Sequence, residues 1–204
     1  MGLVLGILAE AKSHYNKEKH EWINYCNMNQ FVYMDIGYET GVPIGRIVIE
    51  LNTQYSKSLT ELFIKLAKGE YVHPMNGKQL QYTDTPFHHI SNTNNLLMGG
   101  DVLYGNGSGG CAPINGKVYQ EALIHSNVTN TKGKVVLLST DTDPTLFTSI
   151  FYILLDDCGP TVVDGCVIGD IIEGFDILED IVLEYGTING VPKQKIVIHK
   201  AGHL

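Results

Sequence analysis

The stretch Phe87–Gly110, FHHISNTNNLLMGGDVLYGNGSGG, decides the fold. It opens on a short apolar strand, Phe87 to Ile90, and closes on a glycine-rich run from Gly105 to Gly110. No Lys-Ser/Thr pair follows those glycines and no helix starts there, so the run does not read as a phosphate cradle. His88 and His89 are adjacent, and on a strand their side chains point to opposite faces. They cannot jointly chelate a metal, and they read as core or rim histidines.

Outward from this stretch the signals are those of strands and turns. Phe31 to Ile36 is a short strand ending at Gly37, and Gly41-Val42-Pro43 makes a turn. Arg46 to Leu51 alternates: Ile47, Ile49 and Leu51 share one face, and Arg46, Val48 and Glu50 share the other. That pattern suits a barrel wall, dry inside and wetter outside. A helix follows, with Ser58 as its cap, Glu61 completing a capping box, Gly69 at its end and a stripe of Leu59, Leu62, Phe63 and Leu66. Further strands are expected at Val135 to Leu138, Ile150 to Leu155, Val167 to Ile171 and Lys195 to His199, with a second helix over Phe175 to Leu183. Strand and helix do not alternate along the chain, which points to a mainly antiparallel β-barrel.

The 204 residues suit one domain, and 44% apolar against 18% charged residues is ordinary for a globular core. A formal net charge of -8 with no cluster of Lys and Arg argues against nucleic acid. Cys26, Cys111, Cys158 and Cys166 form no CxxC pair and have no histidine at zinc-finger spacing, so they read as reduced structural thiols. Asp141, Asp143, Asp156 and Asp157 lack the spacing and turn glycine of an EF-hand and read as solvated loop charges. No metal or cofactor is expected. Met1 to Ala9 is apolar but lacks a basic flank and is too short to span a bilayer. The expectation is a soluble, cytoplasmic protein without a membrane partner. Residues 1–30 are charged, with Leu3, Ile7 and Ala11 and then Trp22 and Cys26 at i, i+4 spacing, which suggests a helical arm or tail ahead of a domain over 31–204.

Several motifs, in order and spacing, resemble the cyclophilins. Phe87-His88-His89-Ile90 resembles the family's Phe-His-Arg-Ile, and Gly99-Gly100-Asp101 its Gly-Gly-Asp. Asn106 to Gly110 is similar to its glycine loop, and Ser149-Ile150-Phe151-Tyr152-Ile153 to Ser-Gln-Phe-Phe-Ile. Ile196-Val197-Ile198 through Gly202-His203-Leu204 resembles the closing strand, and Met34 to Leu51 the opening hairpin. The resemblance implies a closed eight-stranded antiparallel barrel capped by two helices, and an activity: rotation about Xaa–Pro amides, whose barrier is about 18–20 kcal/mol.

The family's site is understood to use an arginine donor near the prolyl nitrogen, an apolar pocket and polar anchors for the substrate backbone. Carried over residue by residue, these positions depart. The arginine position falls on His89, and the glutamine before Gly-Gly on Met98. The pocket-floor phenylalanine and methionine become Asn95 and Leu96, with one extra residue between Phe87 and Gly99. The Ala-Asn pair becomes Thr140-Asp141, the second glutamine Ile150 and the pocket phenylalanine Tyr152, while the tryptophan and histidine positions fall near Pro160 and Gly165. No catalytic set is intact. The resemblance therefore implies a cyclophilin-like structural or interaction protein with protein partners. Val102-Leu103-Tyr104-Gly105 and His20-Glu21-Trp22-Ile23 resemble a divergent branch, which implies a cilium and axonemal microtubule proteins as partners. The alternatives are a weak isomerase using His89 as donor and an adaptor that binds proline peptides without turnover.

Overall fold

The computed structural model describes residues 29–73, 77–110, 131–140, 143–157 and 165–204. Residues 1–28 of the expected arm, Asp141, Pro160, Cys26, Cys111 and Cys158 lie outside the described residues, while Asn29 and Gln30 open β1 rather than an arm. Eleven strands and two helices are present among the described residues: β1 (Asn29–Tyr38), β2 (Pro43–Asn52), α1 (Lys57–Lys68), β3 (Tyr71–Val72), β4 (Gln79–Leu80), β5 (Thr85–Pro86), β6 (His89–Ser91), β7 (Leu96–Gly99), β8 (Lys134–Thr140), β9 (Asp143–Leu154), β10 (Gly165–Glu173), α2 (Phe175–Tyr185) and β11 (Ile196–His203). Nine strands form one antiparallel sheet in the order β5-β11-β1-β2-β10-β8-β9-β7-β6, and β3 and β4 form a separate hairpin. The mainly β architecture with two helices is the expected one.

Of the strand expected over Phe87 to Ile90, only His89 and Ile90 are extended, in β6, while Phe87 and His88 link β6 to β5 just before them. The sheet's two edges are consecutive pieces of chain, joined through Phe87 and His88, so the curled sheet brings its edges together without pairing them. β5 pairs with β11 and β6 with β7. At the junction Phe87 N donates to Ile196 O (2.9 Å), and Ile90 N turns to Gly190 O (2.8 Å). A single straight strand cannot follow both edges of a curled, twisted sheet, and the break supplies the change of direction.

Alternation fills the interior. Val32, Met34 and Ile36 of β1, Ile47, Ile49 and Leu51 of β2, and Phe151 and Ile153 of β9 all point into one core. Val48, expected on the wetter face, is buried as well. Helix α1 lays Leu59, Leu62, Phe63 and Leu66 on that core. Phe63 meets Tyr82 at 4.8 Å and Phe151 at 5.3 Å between ring centroids, and the Tyr82 hydroxyl donates to Ser149 O (3.0 Å). The α1 cap differs from expectation. Ser56 stands at the N-cap in an extended conformation (φ -164°) and accepts from Leu59 N at 3.2 Å. The helix therefore begins at Lys57, which puts Ser58 inside its first turn and brings Lys57 over Glu61 (4.0 Å). Gly69 ends the helix in the left-handed region (φ 69°), as expected. The second helix runs two residues past Leu183, to Tyr185.

Candidate functional site

Strand register decides which of the altered positions meet. His89 lies opposite Met98, Met98 opposite Tyr152, and Tyr152 opposite Val136. His89, Met98 and Tyr152 thus form one row across β6, β7 and β9. Leu96 sits in the next row, opposite Leu154. Ile150 is two residues from Tyr152 along β9, so it shares Tyr152's face. Leu96, Val136, Tyr152, Leu154 and Val167 form a second apolar cluster, separate from the main core, with Tyr55, Met98 and Leu138 packed against it. Tyr152 is 0% exposed, Ile150 4% and Leu96 8%.

Asn95 does not join this row. It sits in the turn before β7 with φ 46°, where its carbonyl accepts from Leu155 N (2.8 Å) and its amide reaches Asp156 Oδ2 (3.4 Å). Thr140 closes β8 opposite Asp143. Asp156 and Asp157 are exposed, as expected of solvated charges, and each also holds a backbone N–H: Asp157 N donates to Asp156 Oδ1 (2.8 Å), and Lys132 N to Asp157 Oδ1 (2.9 Å).

The two histidines part company. The His88 ring lies against Gly107, where a Cβ would stand 2.8 Å from its Cδ2. The His89 ring fills the space over Gly190, and any Cβ there would overlap it. Gly190 also has φ 78°, a conformation open to glycine at little cost. Burial pushes the His89 imidazole below its ordinary value of 6.5, so the ring is neutral at neutral pH. His88 is lowered too, chiefly by burial; Asp101 pulls the other way, and His89 adds a smaller downward push.

A residue that motif reading left without a role is Asp101. Its buried carboxylate collects backbone N–H groups from the glycine loop. Leu103 N (3.1 Å) and Tyr104 N (3.0 Å) donate to Oδ1; Asn106 N (2.9 Å), Gly107 N (2.8 Å) and Gly109 N (3.2 Å) donate to Oδ2. Burial alone would raise this carboxyl, but the backbone donors together hold it below its ordinary 3.8. The signal was present as a lone acid after Gly-Gly, followed by a loop too rich in glycine to pair its own amides.

The family model for cyclophilin type peptidyl-prolyl cis-trans isomerase/CLD matches residues 33–203. The chain belongs to the cyclophilin family. One curated relative, peptidyl-prolyl cis-trans isomerase CYP21-1 of Arabidopsis thaliana, is 30% identical over 189 residues, covering 92% of this chain and 81% of that protein. The row across β6, β7 and β9 holds positions that the motif resemblance aligned with the family's site. A twisted prolyl amide needs a donor at its nitrogen and an open apolar surface under the ring. This row offers a neutral imidazole, a thioether at Met98 and a tyrosine ring beyond the reach of solvent. Among the described residues, no three His, Cys, Asp or Glu side chains gather to hold a metal. No helix among them is long and apolar enough to cross a membrane. Cys166 is half-buried, with its thiol 3.4 Å from Val167 O.

Proposed function

We propose that this cyclophilin serves as a structural or interaction module rather than as an efficient proline isomerase. The observation that carries the reading is the burial of Tyr152, Ile150 and Leu96. A proline ring needs to touch the floor of its pocket, and side chains that solvent does not reach cannot supply that floor. The donor position points the same way. Replacing a permanently charged arginine by a neutral His89 removes a term worth about 2.7–4 kcal/mol for a well-placed donor. The partner is a protein. By its resemblance to the branch called peptidyl-prolyl isomerase-like protein six, the setting is cytoplasmic and axonemal, on microtubules.

Exchange spectroscopy on an Xaa-Pro peptide tests the first half. Isomerisation within about tenfold of an ordinary cyclophilin, or roughly 1.4 kcal/mol of barrier, would sink this reading. Peptide binding without turnover would move it to an adaptor. Co-sedimentation with axonemal microtubules tests the second half, with a chain lacking residues 1–28 as the comparison. That truncation leaves the Asn29–Asn52 pairing at the start of β1 intact, so a loss of co-sedimentation reports on the arm.

One observation favours weak residual isomerisation. His89 is only half-buried and lies opposite Met98, so part of its ring stays accessible to a bound peptide.

A further inference from the structure

The loop gathered by Asp101 contains an Asn-Gly pair whose surroundings favour chemistry within the chain itself. The Gly107 N–H donates to Asp101 Oδ2 at 2.8 Å. The side-chain carbonyl of its neighbour is also engaged: Asn106 Oδ1 accepts from Ser108 N at 2.9 Å and from Ser108 Oγ at 2.6 Å. Asn106 and Ser108 are exposed, whereas Asp101 is buried. One nitrogen thus faces a carboxylate, and one carbonyl oxygen faces two donors, on adjacent residues. Gly107 carries no side chain to shield its nitrogen, and the His88 ring occupies the place a side chain would take.

We propose that Asn106–Gly107 is a self-modification site that converts Asn106 to aspartate and isoaspartate. The Gly107 nitrogen attacks Asn106 Cγ, and its proton passes to Asp101 Oδ2 as the N–Cγ bond forms. Negative charge gathers on Asn106 Oδ1, between the Ser108 N–H and hydroxyl, which act as an oxyanion hole does. The charge then returns to Cγ, the Cγ–Nδ2 bond breaks, and Nδ2 leaves as ammonia with a proton from solvent. The cyclic imide is opened by water. Attack at Cγ restores the normal backbone with aspartate at 106, and attack at the main-chain carbonyl leaves an isoaspartyl link. No electron transfer is involved. Either product places a new carboxylate next to the buried one, and the isoaspartyl form adds a methylene to the loop backbone. In the isoaspartyl form the longer backbone moves the Gly107 and Gly109 amides, so the five that Asp101 collects can then no longer all keep register with it.

The chain carries its own comparison at Asn189–Gly190. Asn189 Oδ1 also accepts two hydrogen bonds, from Thr187 Oγ1 (2.7 Å) and Val191 N (3.2 Å). The Gly190 N–H, however, donates to Thr187 O at 3.3 Å, a carbonyl too weak a base to take the proton. The full-length folded chain is incubated at neutral pH beside the same chain in denaturant, and peptide mapping with isoaspartate-sensitive fragmentation follows both sites over time. The expected result is faster conversion at residue 106 in the folded chain than in the denatured chain, with residue 189 slower than residue 106 only when folded. The rate at 106 should also rise less than the roughly tenfold per pH unit of hydroxide-driven proton removal, because the carboxylate base is already ionised. Ser108→Ala should slow it about tenfold, less than a buried oxyanion donor would cost because Ser108 is exposed. A folded rate at or below the denatured rate overturns the proposal, as does an unchanged rate in Ser108→Ala whose melting curve matches the parent.

Discussion

Placing an arginine at position 89 is the sharpest test of the proposal that this chain is no efficient isomerase. His89→Arg supplies the charged donor that the cyclophilin motif carries, and in an open site such a donor is worth about 10²–10³ in rate. The structure predicts that little of this returns. The imidazole now fills the space above Gly190, and a guanidinium on a longer stem cannot fit there without moving the loop. It would stand further into solvent, where each of its hydrogen bonds competes with water. The floor is the larger obstacle, because Tyr152 and Leu96 are already covered. A proline that does not reach the floor gains nothing from a donor at its nitrogen, so the two losses multiply rather than add. The expected gain is under about tenfold, against the 10²–10³ that the donor alone would supply. Exchange spectroscopy on one Xaa-Pro peptide, parent and variant at matched concentration, measures it. A gain of about 10²-fold or more from this single change would refute the reasoning, since it would mean the pocket behind His89 was intact all along.

Other consequences concern the frame that holds the site. Ser56→Ala should cost about 0.5–2 kcal/mol in chemical denaturation, while Ser58→Ala stays within about 0.5 kcal/mol; the reverse order would move the cap back to Ser58. Gly190→Ala adds a Cβ against the His89 ring at a left-handed position and should destabilise by about 1–3 kcal/mol. An unchanged denaturation midpoint would show that the ring and loop part freely. Acid should unfold the glycine loop through Asp101. Its carboxyl is held below its unfolded value near 3.8, so its contribution is present above that value and is lost as pH falls through the lower folded one. Amide exchange at Gly107 and Gly109 that stays protected at pH well below the folded value would contradict this.

Much of the frame was legible because two periods run clean through it. Ile47, Ile49 and Leu51 alternate without exception, and Leu59, Leu62, Phe63 and Leu66 keep the helical step, so their burial follows from the letters. Phe87 to Ile90 reads as one strand for the same reason, and fails because sheet curl, a property of the whole, breaks it between Pro86 and His89. Asn95 could be aligned with a pocket residue but not placed, since an inserted residue before Gly99 goes into the turn rather than the row. The burial of Tyr152 was illegible in principle. Nothing in a strand's sequence says what lies over its outer face. Asp101 shows the opposite case, where the residue types were plain but the geometry that joins one carboxylate to five amides needs the folded loop.

Strand β9 shows why such a fold tolerates change on its outer face. Phe151 and Ile153 face the main core, where Phe151 packs against Phe63, Tyr82 and Phe87. Tyr152 and Leu154, one residue away in each case, belong to the outer cluster. The two sets share a backbone but not a neighbour. Stripping the inner ring would leave a cavity worth about 3–5 kcal/mol, enough to endanger a marginally stable domain. Exchanging an outer glutamine for Ile150, or a phenylalanine for Tyr152, disturbs no inner contact and keeps every ladder hydrogen bond. The framework motifs and the site motifs are therefore interleaved in sequence yet independent in energy. A barrel built this way can have its outer row rebuilt for a different partner while the alternate residues continue to specify the same shape.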